Sequence, residues 1–218
     1  MKIAVLGTGM VGRAVAVGLA RLGLDVVVGT RDPEVSLARR GAEDFGTWSA
    51  MNSEIGIGTY AEAARDAVLV VNALNGAVSV AGIRAASIAD DTVLLDIANP
   101  LDFSGDAPAL FVCNNDSLGE HIQRQFPTLR VVKSLNTMTA TAMVQPDLIA
   151  GGDFTTFVSG NDDAAKAQVM SLLGSLGHTD VLDLGDISTA RGTEALMLAW
   201  IGLMGSIGSP YFTWKVAR

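Results

Sequence analysis

The chain opens on an apolar run, Lys2-Ile3-Ala4-Val5-Leu6, that passes at once into Gly7-Thr8-Gly9-Met10-Val11-Gly12. A hydrophobic strand, a turn with glycines at its first, third and sixth positions, and a helical pattern behind it leave few folds open. In such a turn the first glycine permits the tight bend and the second admits a phosphate against bare main chain. The third lets the helix pack close to the strand. Val15, Leu19 and Leu22 recur at helical spacing, and Gly23 supplies the stop. The N–H groups at the helix start, with the helix dipole behind them, favour an anion. The pattern predicts a dinucleotide pyrophosphate seated over Gly7, Thr8, Gly9, Met10, Val11 and Gly12.

Apolar runs then alternate with helical patterns, which argues for a parallel sheet covered by helices on both faces. Strands are expected over 2–6, 25–29, 55–59, 67–73, 92–98 and 129–135. Helices are expected over 13–22, 33–51, 60–65 and 77–89, and from the capping box Ser117-Leu118-Gly119-Glu120 to Phe126. From about residue 151 two further strands, 154–159 and 179–184, flank a helix over 162–176, and a last long helix begins near Ile187. The expected architecture is α/β. A Rossmann-type doubly wound parallel sheet spans 1–150, and a small C-terminal α/β extension over 151–218 ends in the long helix.

With 15 basic against 23 acidic residues the net charge is −8, which argues against nucleic-acid binding. The single Cys113 excludes an internal disulfide and fits a reducing compartment; after Leu110-Phe111-Val112 it reads as a buried strand residue. The first residues are already the first strand, so no leader is expected and a cytoplasmic location follows. The stretch 195–214 carries no charge and approaches the length that spans a bilayer. Gly202, Gly205, Gly208 and Pro210 interrupt it. The reading is therefore no membrane contact, and a helix packed on its own domain or on a second copy in a homodimer.

The second strand ends Val28-Gly29-Thr30-Arg31 without an acid at its tip. A carboxylate there would hold a ribose hydroxyl, whereas Thr30 and Arg31 suit a 2′-phosphate, which favours NADP(H). Asp32 would be the ribose partner if the strand slipped by one residue. The carboxyl ends of the later strands place Ala73, Leu74, Asn75, Asn99, Asn136, Met138 and Ala140 around the nicotinamide. No histidine lies there, and the nearest titratable group is Lys133. His121 and His178 read as structural, Tyr60 and Tyr211 are the only tyrosines, and neither metal-ligand spacing nor a serine-nucleophile elbow is found. No catalytic side chain is assigned. Reduction of a ketone needs a proton donor beside the new oxygen. Hydride transfer between two heterocycles needs mainly stacking and orientation.

Together these motifs resemble the coenzyme F420-dependent NADP oxidoreductase family. The resemblance continues through Asp96-Ile97-Ala98-Asn99-Pro100-Leu101, the capping box, Val131-Val132-Lys133-Ser134-Leu135-Asn136-Thr137-Met138 and Ser159-Gly160-Asn161-Asp162-Asp163. It ends with Asp183-Leu184-Gly185 and Ala190-Arg191-Gly192-Thr193-Glu194. It implies hydride exchange between NADP(H) and a deazaflavin, coenzyme F420. Thr8, Thr30 and Arg31 would take the NADP phosphates, and Leu74, Met138 and Ala140 would line the nicotinamide. The segment 151–218 would supply part of the deazaflavin pocket and the homodimer contact. Arg191 is the charged candidate for the acceptor's anionic groups, or pairs with Glu194 at i,i+3. Archaeal members carry a histidine where Asn136 stands and hydroxyl side chains where Ala195 and Met197 stand. The pair Asn136-Thr137 is similar to the bacterial branch and to the NADPH domain of membrane ferric reductases. Two other readings stay open. One is an NADPH-dependent reductase of a flavin, a ferric chelate, or a small imine or ketone; the other is a non-catalytic NADP(H) sensor.

Overall fold

Aliphatic side chains on both faces make β1 (Lys2–Leu6), in which Ile3, Ala4, Val5 and Leu6 expose no surface. The computed structural model describes residues 1–41 and 44–218. After β1 come α1 (Met10–Arg21), β2 (Asp25–Thr30), α2 (Pro33–Ala38), α3 (Phe45–Met51), β3 (Gly56–Thr59) and α4 (Tyr60–Ala64). Next are β4 (Leu69–Asn72), α5 (Gly76–Ala86), β5 (Val93–Asp96), and a hairpin of β6 (Leu101–Asp102) with β7 (Ala109–Leu110). Then follow α6 (Leu118–Gln125), β8 (Arg130–Ser134), β9 (Thr155–Gly160), α7 (Asp163–Ser175), β10 (Asp180–Asp183) and α8 (Ala190–Ile207).

The strands form one eight-stranded sheet in the order β3-β2-β1-β4-β5-β8-β9-β10. All neighbours from β3 to β8 are parallel. The winding reverses between β1 and β4, and their carboxyl ends open the crevice where ligands bind in such sheets. The expected doubly wound sheet is thus present, with its last two strands reversed: β9 runs antiparallel to β8, and β10 runs parallel to β9. Between β8 and β9 the chain makes only short 3-10 turns, at Pro146–Leu148 and Ala150–Gly152. Without a helical crossover it comes back along β8 in the opposite direction.

Alternate residues of β1 feed two cores. Ile3 and Val5 join Val15 and Leu19 of α1 with Val169 and Leu173 of α7. Ala4 and Leu6 join Ile83 of α5 with Leu118 and Ile122 of α6. Each such leucine, isoleucine or valine contributes roughly 1.5–3 kcal/mol, against tenths for a helix-surface pair, so these layers carry the fold. α1 ends as expected at Gly23, whose N–H donates to the Ala20 carbonyl at 2.8 Å while that of Leu24 reaches Leu19 at 3.4 Å.

Two local expectations differ from the structure. The helix expected over 33–51 is two helices, α2 and α3, capped by Asp32 and Asp44; Ala42 and Glu43 lie outside the described residues. Cys113 is exposed rather than buried, because Leu110 closes a short surface hairpin instead of a sheet strand. Two-residue strands leave no alternation to read. The long final helix begins near Ile187 as expected, with a 3-10 turn at Ile187–Thr189 leading directly into α8 at Ala190. α8 turns Met197 and Trp200 inward and leaves Leu198, Leu203, Met204 and Ile207 exposed. The segment after it returns across the domain: Trp200 stacks on Phe212 at 5.2 Å, and the Thr155 N–H donates to Trp214 O at 2.9 Å. Among the described residues no helix is long and apolar enough to cross a membrane.

Candidate functional site

The glycine turn lies at the carboxyl end of β1. Gly7 has φ +123°, and a Cβ on it would lie 2.6 Å from Ala73 O. One on Gly12 would lie 2.1 Å from Gly7 O, so both positions exclude a side chain. Gly9 is different: a Cβ there would meet nothing within 4 Å. It is also the N-cap of α1, and no side chain caps the helix. Open space over bare main chain, beside helix N–H groups without a side-chain partner, fits a pyrophosphate.

Next to this notch is a hollow of about 340 Å³ between Gly7-Thr8-Gly9 and the tip of β2, lined also by Arg31, Asp32, Ser36, Arg39 and Tyr60. The buried Thr30 hydroxyl shares a 2.6 Å hydrogen bond with Ser36 Oγ. Asp32 turns its carboxylate to the Val35 N–H at 3.1 Å and caps α2. The acid that a slipped register would offer to a ribose is therefore engaged by a helix, and the tip presents hydroxyls and guanidiniums. That donor set fits a 2′-phosphate. Burial pushes the Tyr60 phenol above its ordinary range, opposed by the Arg31 charge. Arg31 and Tyr60 also border a second hollow, about 360 Å³, walled by Val78, Ala81 and Ala85 of α5.

On its other side the notch shares Ala73, Leu74 and Asn75 with a cavity of about 270 Å³. Asn99, Asn136, Met138 and Ala140 line this cavity too, so the seven residues expected around the nicotinamide meet in one place, joined by Met10 and Val11, which were expected at the pyrophosphate. Asn99 Nδ2 donates to Asn136 O at 2.8 Å, and Asn136 Nδ2 donates to Asn99 Oδ1 at 2.9 Å and to Thr193 O of α8 at 3.1 Å. Leu135, just after β8, has φ +61°. This left-handed bend costs a bulky residue roughly 1–2 kcal/mol and swings Asn136 toward the cavity. Phe103, Met143, Met197 and Trp200 also line it and were missed in the sequence, because they come from the hairpin, a turn over 141–144 and α8. No lining residue titrates. Tyr60 stands at the other end of the groove, and Tyr211 is not among the lining residues.

Beneath the cavity floor, Lys133 has no exposed side-chain surface and pairs with Asp96 at 2.9 Å and Glu194 at 2.8 Å. Glu194 also accepts from the Leu118 and Gly119 N–H groups at 2.8 and 3.0 Å, at the start of α6. Asp96 accepts from Asn72 Nδ2 at 2.8 Å. Burial alone would lower the Lys133 pKa, but the two carboxylates outweigh it and hold the ammonium above its ordinary value. The helix start balances the second acid. Lys133 thus fastens α8 to the sheet instead of facing the site. Arg191 does not pair with Glu194. Its guanidinium forks onto Glu120 of α6, with Nε 2.8 Å from Oε2, and it does not line the cavity.

His121 is exposed on α6, and His178 is buried. The carbonyl of Met143 can only accept, so His178 Nε2–H donates to it at 3.0 Å and Nδ1 accepts from the Thr156 hydroxyl at 2.8 Å. Burial pulls its pKa below the ordinary imidazole value.

A doubly wound sheet, a bare phosphate notch, a β2 tip whose one carboxylate caps a helix beside two guanidiniums, and an adjoining ring-sized cavity define a Rossmann-type, NADP-dependent oxidoreductase. The profile of the family described as NADP oxidoreductase, coenzyme F420-dependent, matches residues 2–100. A crystal structure from Arthrobacter sp. FB24, named as a candidate F420-dependent NADP reductase, is 54% identical to this chain. The match covers 100% of both chains with a TM-score of 0.98. The chain belongs to the coenzyme F420-dependent NADP oxidoreductase family. It is also 28% identical over 205 residues to the rat metalloreductase STEAP3, covering 90% of this chain but only 36% of that protein's length. An Aspergillus terreus reductive aminase solved with NADPH4, cyclohexanone and allyl amine shares the fold at 17% identity and a TM-score of 0.62, over 95% of this chain and 62% of the other.

Proposed function

We propose that this protein passes hydride between NADP(H) and a deazaflavin of the coenzyme F420 type. The observation that carries the reading is the juncture of phosphate notch and uncharged cavity through Ala73, Leu74 and Asn75. Main-chain N–H groups of Gly7 to Gly12 hold the pyrophosphate. Thr30, Arg31 and the added Arg39 hold the 2′-phosphate, and Tyr60 closes on the adenine. Asn99, Asn136, Met138 and Ala140 fix the nicotinamide against the acceptor. Bound NADPH supplies the hydride, and the protein supplies orientation and exclusion of water. With no titratable lining group, the accompanying proton comes from water, which suits transfer between rings better than reduction of a carbonyl.

A second acceptor class, a ferric chelate or free flavin, draws support from the similarity to STEAP3. NADPH absorbance followed with coenzyme F420, free flavin and ferric chelate in turn separates them. Oxidation with the deazaflavin alone is expected, and oxidation only with another acceptor transfers the reading to it. We also propose that two copies pair through the exposed face of α8, where Leu203 and Ile207 lie, and that the protein works in the cytoplasm. A monomer in size-exclusion chromatography with light scattering would remove the pairing.

A further inference from the structure

Two walls of the nicotinamide cavity are held by consecutive residues that do not line it. Asn136 and Met138 enter the cavity from a turn that is neither helix nor strand, so no ladder of main-chain hydrogen bonds fixes it. Between them Thr137 is buried, and its carbonyl accepts from the Thr213 hydroxyl at 3.1 Å. The second wall is Trp200 of α8. Its indole N–H donates to Phe212 O at 3.2 Å, and its ring stacks on that of Phe212 with the planes 18° apart. Phe212 thus engages one wall and Thr213 the other.

The segment reaches this place because α8 stops at Gly208, φ +72°, whose N–H closes the last turn on Met204 O at 2.9 Å. Past Thr213 it is clamped to the first residue of β9. The buried Thr155 donates its N–H to Trp214 O at 2.9 Å. Its hydroxyl oxygen accepts from the Val216 N–H at 3.0 Å while donating to Asp180 at 2.6 Å. Lys215 pairs with Asp153 and Arg218 with Asp180, but these pairs are solvated and add little. The bonds to a buried strand residue are what fix the segment.

We propose that residues 212–216 brace the nicotinamide cavity and that Thr213 is a positioning residue: through the Thr137 carbonyl it sets where Asn136 and Met138 stand against the nicotinamide. The inference rests on the reading of this cavity as the nicotinamide end, and adds to it a group that touches no ligand. Such a bond matters because a displacement of about 1 Å in a positioned group can cost up to about a hundredfold.

Thr213→Val keeps the side chain's shape and removes the donor, and Thr213→Ser restores it. Calorimetry on the full chain compares NADPH with 2′-phospho-ADP-ribose, the same cofactor without its nicotinamide. Thr213→Val should bind NADPH about threefold to tenfold more weakly than the parent, the worth of one hydrogen bond. It should bind the fragment within about twofold of the parent, since no residue of the phosphate hollow belongs to the turn or the brace. Thr213→Ser should recover NADPH binding. Phe212→Leu removes the ring behind Trp200 and should show the same one-sided loss, which keeps the inference testable should Thr213→Val fail to fold. Equal losses on both ligands would reduce the brace to a structural role and overturn the inference, and so would undiminished NADPH binding. A parent that binds the fragment as tightly as NADPH would take the nicotinamide out of this cavity and remove reading and inference together. Absence of turnover with every acceptor would sink the hydride reading alone, because the comparison needs no acceptor.

Discussion

At its phosphate end the groove is built by neighbours in the chain, Gly7 to Gly12 and Thr30 to Arg39. At its acceptor end the walls come from α1, β4, β5, the β6–β7 hairpin, the turn after β8 and α8. The first end is polar, with two guanidiniums beside one helix-capping carboxylate, and depends on main chain and short-range turns. The second is uncharged, floored by paired asparagines and supported by a wholly buried ion network. The difference shows why one fold can keep its nucleotide and change its acceptor. The phosphate notch tolerates no side chain at Gly7 or Gly12, whereas the acceptor walls are separate contributions that can vary one at a time.

The largest effect should come from removing the support under the acceptor end. Lys133→Met leaves Asp96 and Glu194 buried without their cation and should cost about 3–5 kcal/mol in denaturant unfolding. A loss below about 1 kcal/mol would mean that the helix start and Asn72 suffice for both acids. At the phosphate end two glycines three residues apart, Gly9 and Gly12, should separate folding from binding. Gly12→Ala forces a methyl onto Gly7 O and should lose about 1–3 kcal/mol of stability. Gly9→Ala should unfold within about 0.5 kcal/mol of the parent, yet bind NADPH at least about tenfold more weakly, because the methyl takes the phosphate's place. Calorimetry finding full NADPH affinity in Gly9→Ala would break the account of the notch.

Arg31→Ala should weaken NADPH about tenfold to a hundredfold and NADH hardly at all. Equal losses would show that the guanidinium does not read the 2′-phosphate. The smallest effect concerns His178, whose folded pKa is lowered by burial. Its share of stability is complete above the ordinary imidazole value of 6.5 and is lost as pH falls through the lowered folded value. One proton limits that slope to about 1.4 kcal/mol per pH unit. Unfolding of the parent and of His178→Gln, compared between neutral and mildly acid pH, should show the steeper fall in the parent. Parallel curves would mean the buried imidazole contributes no linkage.

Much of the groove was legible from the residues because its signals are local. Apolar runs marked β1, β2, β4, β5 and β8, and the residues following the carboxyl ends of β4, β5 and β8 led to the seven predicted residues that meet in the cavity. Ser36 and Arg39 escaped notice because they enter the hollow from α2 and the residue after it, beyond the strand tip. The pairing of Arg191 was misplaced for a related reason. Helical spacing points to Glu194, but Glu194 is drawn inward to Lys133 and the start of α6, which leaves Glu120 to take the guanidinium.

What the amino-acid order settled by itself is the strand, the glycine turn, the helix start and the Thr30-Arg31 pair at the tip, because each depends on main-chain geometry within a few residues. What only tertiary structure decided is the acceptor end: the reversal of β9, the left-handed bend at Leu135, and Met197 and Trp200 turned inward by α8. Those features depend on which distant side chains desolvate one another, and hydrophobic burial carries no record of chain order.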